Sequence, residues 1–146
     1  MPESKLIQFH NLPIEFKGKD GVLKEWLTII GSNHGSEIGN LAYNFISNEE
    51  ILSINWQYLK HDYYTDIITF GYSEGEKVEG EIYISEEQVR QQASEYKVSE
   101  QQELLRVICH GLLHLIGFND VSQEEKSRMR EEEEKSLILH AQIIGN

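Results

Sequence analysis

The segment HGLLHLIGFND, residues 110–120, decides how the rest of this chain is arranged. His110 and His114 are four positions apart, so on an α-helix they share one face with Cβ atoms about 6 Å apart. The other helical positions are mainly leucine and isoleucine, which is typical of a helix buried in a core. Gly117 then permits the positive φ at which a helix commonly ends. The segment therefore predicts a central, buried helix that carries two histidines.

A third metal ligand follows the helix in the pattern HxxxHxxGxxD. Three residues after Gly117, the carboxylate of Asp120 is able to swing back toward His110 and His114. Three protein ligands with a fourth position left for water are typical of a catalytic zinc site. Two core histidines with ordinary hydrogen-bond partners are the alternative, but the glycine turn and the carboxylate in register favour metal. We predict one Zn²⁺ per chain, with other divalent transition metals also compatible.

The same helix lacks the general base found in a common class of zinc peptidases. In the HExxH motif of that class, glutamate follows the first histidine, whereas residue 111 here is glycine. The spacing therefore predicts a metal-dependent hydrolase site without specifying its substrate. Arg106 lies one turn before His110 on the same face. Its guanidinium would either hold a phosphate oxygen near the metal or form a salt bridge with a nearby glutamate.

Along the whole chain, the hydrophobic pattern predicts strands and helices in the order β, α, β, α, β, β, α, α, α. The predicted strands are 5–9, 41–46, 67–72 and 80–85, with loops at 31–35 and 73–80. The predicted helices are 19–30, 48–58 capped by Asn48, 86–96, 99–116 and 122–143. This order indicates an α+β fold in one domain over residues 1–146, with a small mixed β-sheet and helices packed on it.

Length and composition fit one compact domain: 146 residues, 39% of them hydrophobic. The single cysteine, Cys109, excludes an intramolecular disulfide, and no apolar run reaches the length of a membrane span. We therefore expect a cytoplasmic protein with no membrane partner. The formal charge of −12 disfavours loose attraction to nucleic acid. Much of the excess lies at Glu131–Glu134, which we interpret as the solvated face of the last helix.

Three separated blocks of this sequence resemble the YbeY family of bacterial metal-dependent endoribonucleases. The family's histidine helix reads HGxLHLxGYDH, which is similar to HGLLHLIGFND. The stretch NWQYLKHDYYTDIITF, residues 55–70, and the strand GEIYIS, residues 80–85, match two further family motifs. Met129 and Glu133 also match a family M-x-x-x-E pattern in the last helix. The resemblance covers most of the chain from about residue 37 onward.

This resemblance implies endoribonuclease activity in rRNA maturation and ribosome quality control, with RNA and the ribosome or a ribosomal protein as partners. Two departures bear on the site. The family's third metal ligand is histidine where this chain has Asp120, and the family's important arginine falls at Leu59. Lys60 is then the nearest cation, while Asp66 either orients a ligand histidine or caps a turn. The expected catalytic set is Lys60, Arg106 and Asp66.

Two other functions are compatible with the sequence. The loss of the arginine at Leu59 and the charge of −12 would suit a ribosome-associated metal-binding module with weak or no catalysis. A metalloprotease is a further alternative, which Gly111 disfavours. An acidic chain that cleaves RNA must present a local basic strip to its substrate.

Overall fold

The protein is described by a computed structural model that covers residues 6–60, 65–72 and 77–145. The strands are β1 (Ile7–His10), β2 (Glu37–Ile46), β3 (Ile67–Gly71) and β4 (Lys77–Ser85). The helices are α1 (Asp20–Asn33), α2 (Asn48–Leu59), α3 (Glu86–Tyr96), α4 (Glu100–Ile116) and α5 (Gln123–Ile144), with a short 3-10 turn at Ile14–Phe16. The predicted α+β class and the order of elements are confirmed.

Several element boundaries differ from the predictions, and tertiary contacts explain why. The loop predicted at 31–35 begins later, because α1 continues to Asn33 before the chain turns at Gly35 with φ +73°. Strand β2 begins at Glu37 because parallel pairing with β4 extends it, and β4 itself begins inside the predicted turn at 73–80. Ser47, and not Asn48, caps α2 through a reciprocal pair of hydrogen bonds with Glu50. Residue 5 of the first predicted strand and residues 73–76 of the predicted turn lie outside the described residues.

The sheet is mixed, with strand order β1-β2-β4-β3. Neighbours β1 and β2 run parallel, as do β2 and β4, whereas β3 runs antiparallel to β4 at one edge. Helices α1 and α2 lie in the connections between the parallel strands, as such crossovers require. None of the helices in the described part of the chain is long and apolar enough to cross a membrane.

Helix α4 packs directly on the sheet, which gives the histidine helix its central place. Ile108, Cys109, Leu112 and Leu113 are fully buried on this helix. The Tyr43 hydroxyl on β2 donates a 2.8 Å hydrogen bond to the carbonyl of Ile108, which ties helix to sheet. These apolar contacts leave His110 and His114 partly accessible, with 16% and 31% of their side chains exposed.

Gly111 allows the close approach of α4 to the sheet, and we expect alanine there to destabilise the protein. A Cβ at residue 111 would lie 3.0 Å from Cδ1 of Ile67 and 3.0 Å from Cδ1 of Ile82. Overpacking typically costs about 1–3 kcal/mol, and alanine's better helix propensity offsets at most about 1 kcal/mol. Urea unfolding of Gly111→Ala should therefore show a lower free energy of unfolding. An unchanged or higher value would mean that the two isoleucines move aside freely.

Candidate metal centre

His110, His114 and Asp120 converge at the end of α4, as the spacing predicts. Nε2 of His110 lies 3.4 Å from Oδ2 of Asp120, and Nε2 of His114 lies 3.4 Å from Oδ1 of the same carboxylate. One ligand atom from each of the three side chains lies within 4.8 Å of the other two. Gly117, with φ +129°, ends the helix and allows the chain to return Asp120 to the histidines.

The donor set and its spacing fit a divalent cation. Imidazole nitrogen and carboxylate oxygen bind zinc at about 2.0–2.2 Å, and two ligands of a tetrahedral ion at that distance are about 3.4 Å apart. Each histidine Nε2 lies 3.4 Å from a different oxygen of Asp120, so the carboxylate faces both nitrogens at a separation of this size. Asp120 is also 37% exposed. The group is therefore open on one side, so that a further ligand has room to approach.

Glu133 on α5 contacts His110 at Nδ1, the ring nitrogen that does not face Asp120. Its Oε2 lies 2.6 Å from Nδ1 of His110, and only 3% of the side chain is exposed. Burial works to raise the pKa of Glu133, but the hydrogen bond with His110 and the charge of Arg106 outweigh it and lower the pKa. The ionised carboxylate only accepts, so Nδ1 carries the proton and donates it. Nε2 is the ring nitrogen that faces Asp120, as a metal ligand at this position requires.

The structure corrects in part the interpretation of Glu131–Glu134 as a solvated face. Glu131 and Glu134 are exposed, but Glu133 is buried, and Oε1 of Glu132 lies 3.2 Å from Nε2 of His34. Sequence reasoning matched Glu133 to a family motif but assigned it no role. A signal was present, because the buried residues of α5 are Met129, Glu133, Ser136 and His140, spaced three or four apart. A carboxylate in that buried stripe needs an internal partner.

Arg106 forms the salt bridge that was one of its two expected roles. Its Nη1 lies 3.1 Å from Oε1 of Glu133, and its Nε donates a 2.9 Å hydrogen bond to Oε1 of Glu103. A further close contact joins its Nη2 to Oε2 of Glu103, which is buried. Burial opposes the charge of Arg106, but these two carboxylates raise its pKa well above the ordinary value. The guanidinium is thus already occupied by carboxylates.

Asp66 belongs to the same network at its far end. The Gln92 side-chain amide donates to Oδ2 of Asp66 at 3.1 Å and to Oε2 of Glu103 at 3.2 Å. We call the series Asp66–Gln92–Glu103–Arg106–Glu133–His110 the buried polar chain. Asp66 therefore connects to His110 through four other side chains.

Lys60 lies apart from this network. It follows the last residue of α2 in the left-handed conformation, with φ 59°. Its Nζ lies 5.9 Å from the centre of the Trp56 ring, a contact with its own helix. Of the expected catalytic residues, the structure thus joins Arg106 and Asp66 to His110 through other side chains but shows no such connection for Lys60.

The charges around the histidines also fit a divalent cation. Glu103, Glu133 and Asp120 contribute three negative charges, and Arg106 contributes one positive charge. Apart from the two histidines, these side chains have a net charge of −2. Excess charge in a partly buried group is unfavourable unless a counter-ion is bound. A divalent cation at His110, His114 and Asp120 would balance it.

A cleft of about 510 Å³, within the size range of small-ligand sites, lies near the C-terminal end of α4. It lies between the end of α4 and the first turns of α5. Its lining residues are His34, Ile116, Gly117, Phe118, Asn119, Glu124, Glu125 and Arg128. Asn119 directly precedes Asp120 in the chain, although none of the three candidate ligands itself lines the cleft.

Comparisons with known proteins agree with this geometry. The family model described as "Endoribonuclease YbeY" matches residues 10–140. A curated protein of that name from Bacteroides thetaiotaomicron is 44% identical over 115 residues, which cover 79% of this chain and 84% of the relative. Another from Phocaeicola vulgatus is 45% identical over 114 residues, covering 78% and 83%. A solution structure from Thermotoga maritima has a TM-score of 0.65 at 30% identity and covers 95% of this chain and 89% of its own. This chain belongs to the endoribonuclease YbeY family.

Proposed function

We propose that this protein is a metal-dependent endoribonuclease that hydrolyses phosphodiester bonds of ribosomal RNA during its maturation. The observation that carries the proposal is the convergence of His110, His114 and Asp120, with the Asp120 side chain 37% exposed. Curated relatives over 40% identical are named endoribonucleases, which supports RNA as the substrate class. The ribosome as partner and a cytoplasmic location follow from this proposed role.

In this proposal the three residues hold one divalent cation. Two nitrogen donors and one carboxylate favour Zn²⁺, and the oxygen of Asp120 widens the tolerance for Mn²⁺ or Fe²⁺. When bound, such an ion supplies a Lewis acid for a phosphate oxygen and lowers the pKa of water. Glu133 keeps His110 in the tautomer that binds metal, through the 2.6 Å contact at Nδ1.

The residues of the buried polar chain act as positioning residues. Arg106 fixes Glu133, and Gln92 links Glu103 with Asp66. We therefore assign Arg106 and Asp66 to the support of His110 and not to direct contact with the phosphate. Lys60 remains exposed at the end of α2 and is available to bind the RNA backbone.

A ribosome-associated metal-binding module with weak or no catalysis is the second candidate. Leu59 favours it, since this side chain is 43% exposed and carries no charge where the family has an arginine. Peptide hydrolysis is disfavoured because Gly111 packs on Ile67 and Ile82 and leaves no room for the glutamate of a zinc peptidase. The module and the nuclease differ in turnover.

The deciding experiment measures cleavage of a mixed-sequence, single-stranded RNA by metal-free protein after addition of Zn²⁺, Mn²⁺ or Mg²⁺. We expect endonucleolytic products with at least one of the transition metals and their loss on addition of a chelator. DNA of the same sequence and casein are the controls for substrate class. RNA that is bound but never cleaved with any metal would establish the module, and casein hydrolysis would establish a protease.

A further inference from the structure

We propose that the cleft between the end of α4 and the first turns of α5 is a nucleotide subsite in which Arg128 binds a phosphate of the RNA strand and the Phe118 ring stacks a base. The inference rests on the proposed ribonuclease function and specifies where the strand lies. Both residues line the cleft, and Phe118 is two residues from Asp120. A nucleotide held there would be next to the bond presented to the metal.

Arg128 differs from Arg90 and Arg106 in having no carboxylate bound to its guanidinium within the described residues. Arg90 is bound by three carboxylates, those of Glu15, Glu86 and Glu100, at 2.6–2.8 Å. Arg106 is bound by two carboxylates within the buried polar chain. Arg128 lines the cleft and forms no ion pair within the described part of the chain. Its guanidinium is therefore available for an external anion.

Arg128 provides in the cleft a cationic group that the uncharged side chain of Leu59 cannot provide. Guanidinium groups bind phosphate oxygens through two parallel hydrogen bonds, and a lysine ammonium does not reproduce this geometry. Arg128 lies within the first two turns of α5 and lines the cleft together with Phe118.

The Phe118 ring is held in place and remains half-buried, packed against the core and lining the cleft. It makes an edge-to-face contact with the His34 ring, with 5.1 Å between ring centres, and Nε2 of His34 lies 3.2 Å from Oε1 of Glu132. The Phe118 backbone N–H donates to the carbonyl of Leu113 at the end of α4. An aromatic face of this kind stacks any base, so it binds single strands with little sequence preference.

Two acidic residues in the cleft limit how many phosphates it accepts. The Glu125 carboxylate accepts hydrogen bonds from the backbone N–H groups of Ser122 at 2.9 Å and Val121 at 3.3 Å, which favour its charged form. Glu124 remains exposed and would repel a second phosphate. The cleft therefore fits one phosphate at Arg128 and one base at Phe118, and it disfavours a long run of backbone contacts.

The first test compares Arg128→Gln with Arg130→Gln, an equal charge change at an exposed arginine that does not line the cleft. Binding of a fluorescein-labelled 2′-O-methyl RNA strand to the metal-loaded protein is followed by anisotropy across salt concentrations. We expect Arg128→Gln to weaken binding about tenfold and to make the slope of log K against log salt shallower by about 0.7, the loss of one phosphate contact. Arg130→Gln should change affinity less than about twofold. Equal effects of the two variants would overturn the proposal.

The second test concerns the base. Phe118→Leu keeps an apolar side chain but removes the ring, and circular dichroism verifies that the variant is folded. We expect about tenfold weaker binding of the RNA strand and unchanged binding of an oligomer whose bases are replaced by tetrahydrofuran spacers. Equal losses for both ligands would overturn the stacking role. Because wild-type cleavage is measured in parallel, failure of the ribonuclease function itself would appear as an inactive wild type.

Discussion

Replacing His114 by alanine is expected to abolish stoichiometric metal binding and, with it, RNA cleavage. His114 supplies one of the three ligand atoms that converge in the described part of the chain, and its Nε2 lies 3.4 Å from Oδ1 of Asp120. Loss of a partner that only supports a ligand typically weakens metal affinity by about 10–100-fold, so loss of a ligand should weaken it by more than about 100-fold. Metal analysis after dialysis and titration with Zn²⁺ measure the effect, and single-turnover cleavage of RNA follows the activity.

His10→Ala is the matched control, since His10 is an exposed histidine at the end of β1. It should leave the metal content at one ion per chain and the cleavage rate unchanged. Full metal occupancy in His114→Ala would place the metal elsewhere. Loss of cleavage with full occupancy would indicate that His114 acts on the substrate and not on the metal.

The metal-binding group could be predicted from sequence because its geometry is local. A spacing of four residues on a helix places two histidines on one face. A glycine turn then brings the carboxylate three residues later back toward them. His110, His114 and Asp120 all lie in an eleven-residue segment, and the structure brings them together. The mixed sheet could also be predicted from sequence, since the order of strands and helices specifies which layers must pack.

The supporting network could not be predicted because its members are far apart in the chain. Glu133 is 23 residues from His110 and 27 from Arg106. Gln92 connects to Asp66 across 26 residues. No short pattern distinguishes Glu133 from its acidic neighbours, apart from its phase in the buried stripe of α5. Whether a glutamate faces water or an arginine depends on how two helices cross, which is a property of the packed protein.

Replacing Arg106 by methionine is expected to destabilise the metal-free protein by about 3–5 kcal/mol. Methionine keeps much of the volume of the side chain but leaves Glu103 and Glu133 without their common cation. Both carboxylates are 2% exposed as whole residues, so water does not replace the guanidinium. Urea unfolding at neutral pH in the presence of a chelator measures the change in the free energy of unfolding.

Arg90→Met is the matched control, because Arg90 also binds several carboxylates but does so near the surface. Its side chain is 24% exposed, and Glu100 is 52% exposed. Exposed ion pairs contribute about 0–1 kcal/mol each, and water can reach the carboxylates around Arg90, so Arg90→Met should cost less than Arg106→Met. The comparison separates the loss of one arginine from the loss of the cation between two buried carboxylates.

The effect of Arg106→Met should also depend on pH in a defined direction. Despite burial, contacts with His110 and Arg106 lower the folded-state pKa of Glu133 below its ordinary 4.5. Such a carboxyl stabilises the fold above pH 4.5 and loses that contribution as the pH falls through its folded-state pKa. Without Arg106 the pKa of Glu133 rises, and protonation then removes the unpaired charge. The destabilisation should therefore be largest at neutral pH and shrink on acidification, whereas a loss of stability independent of pH would show that Arg106 contributes by packing alone.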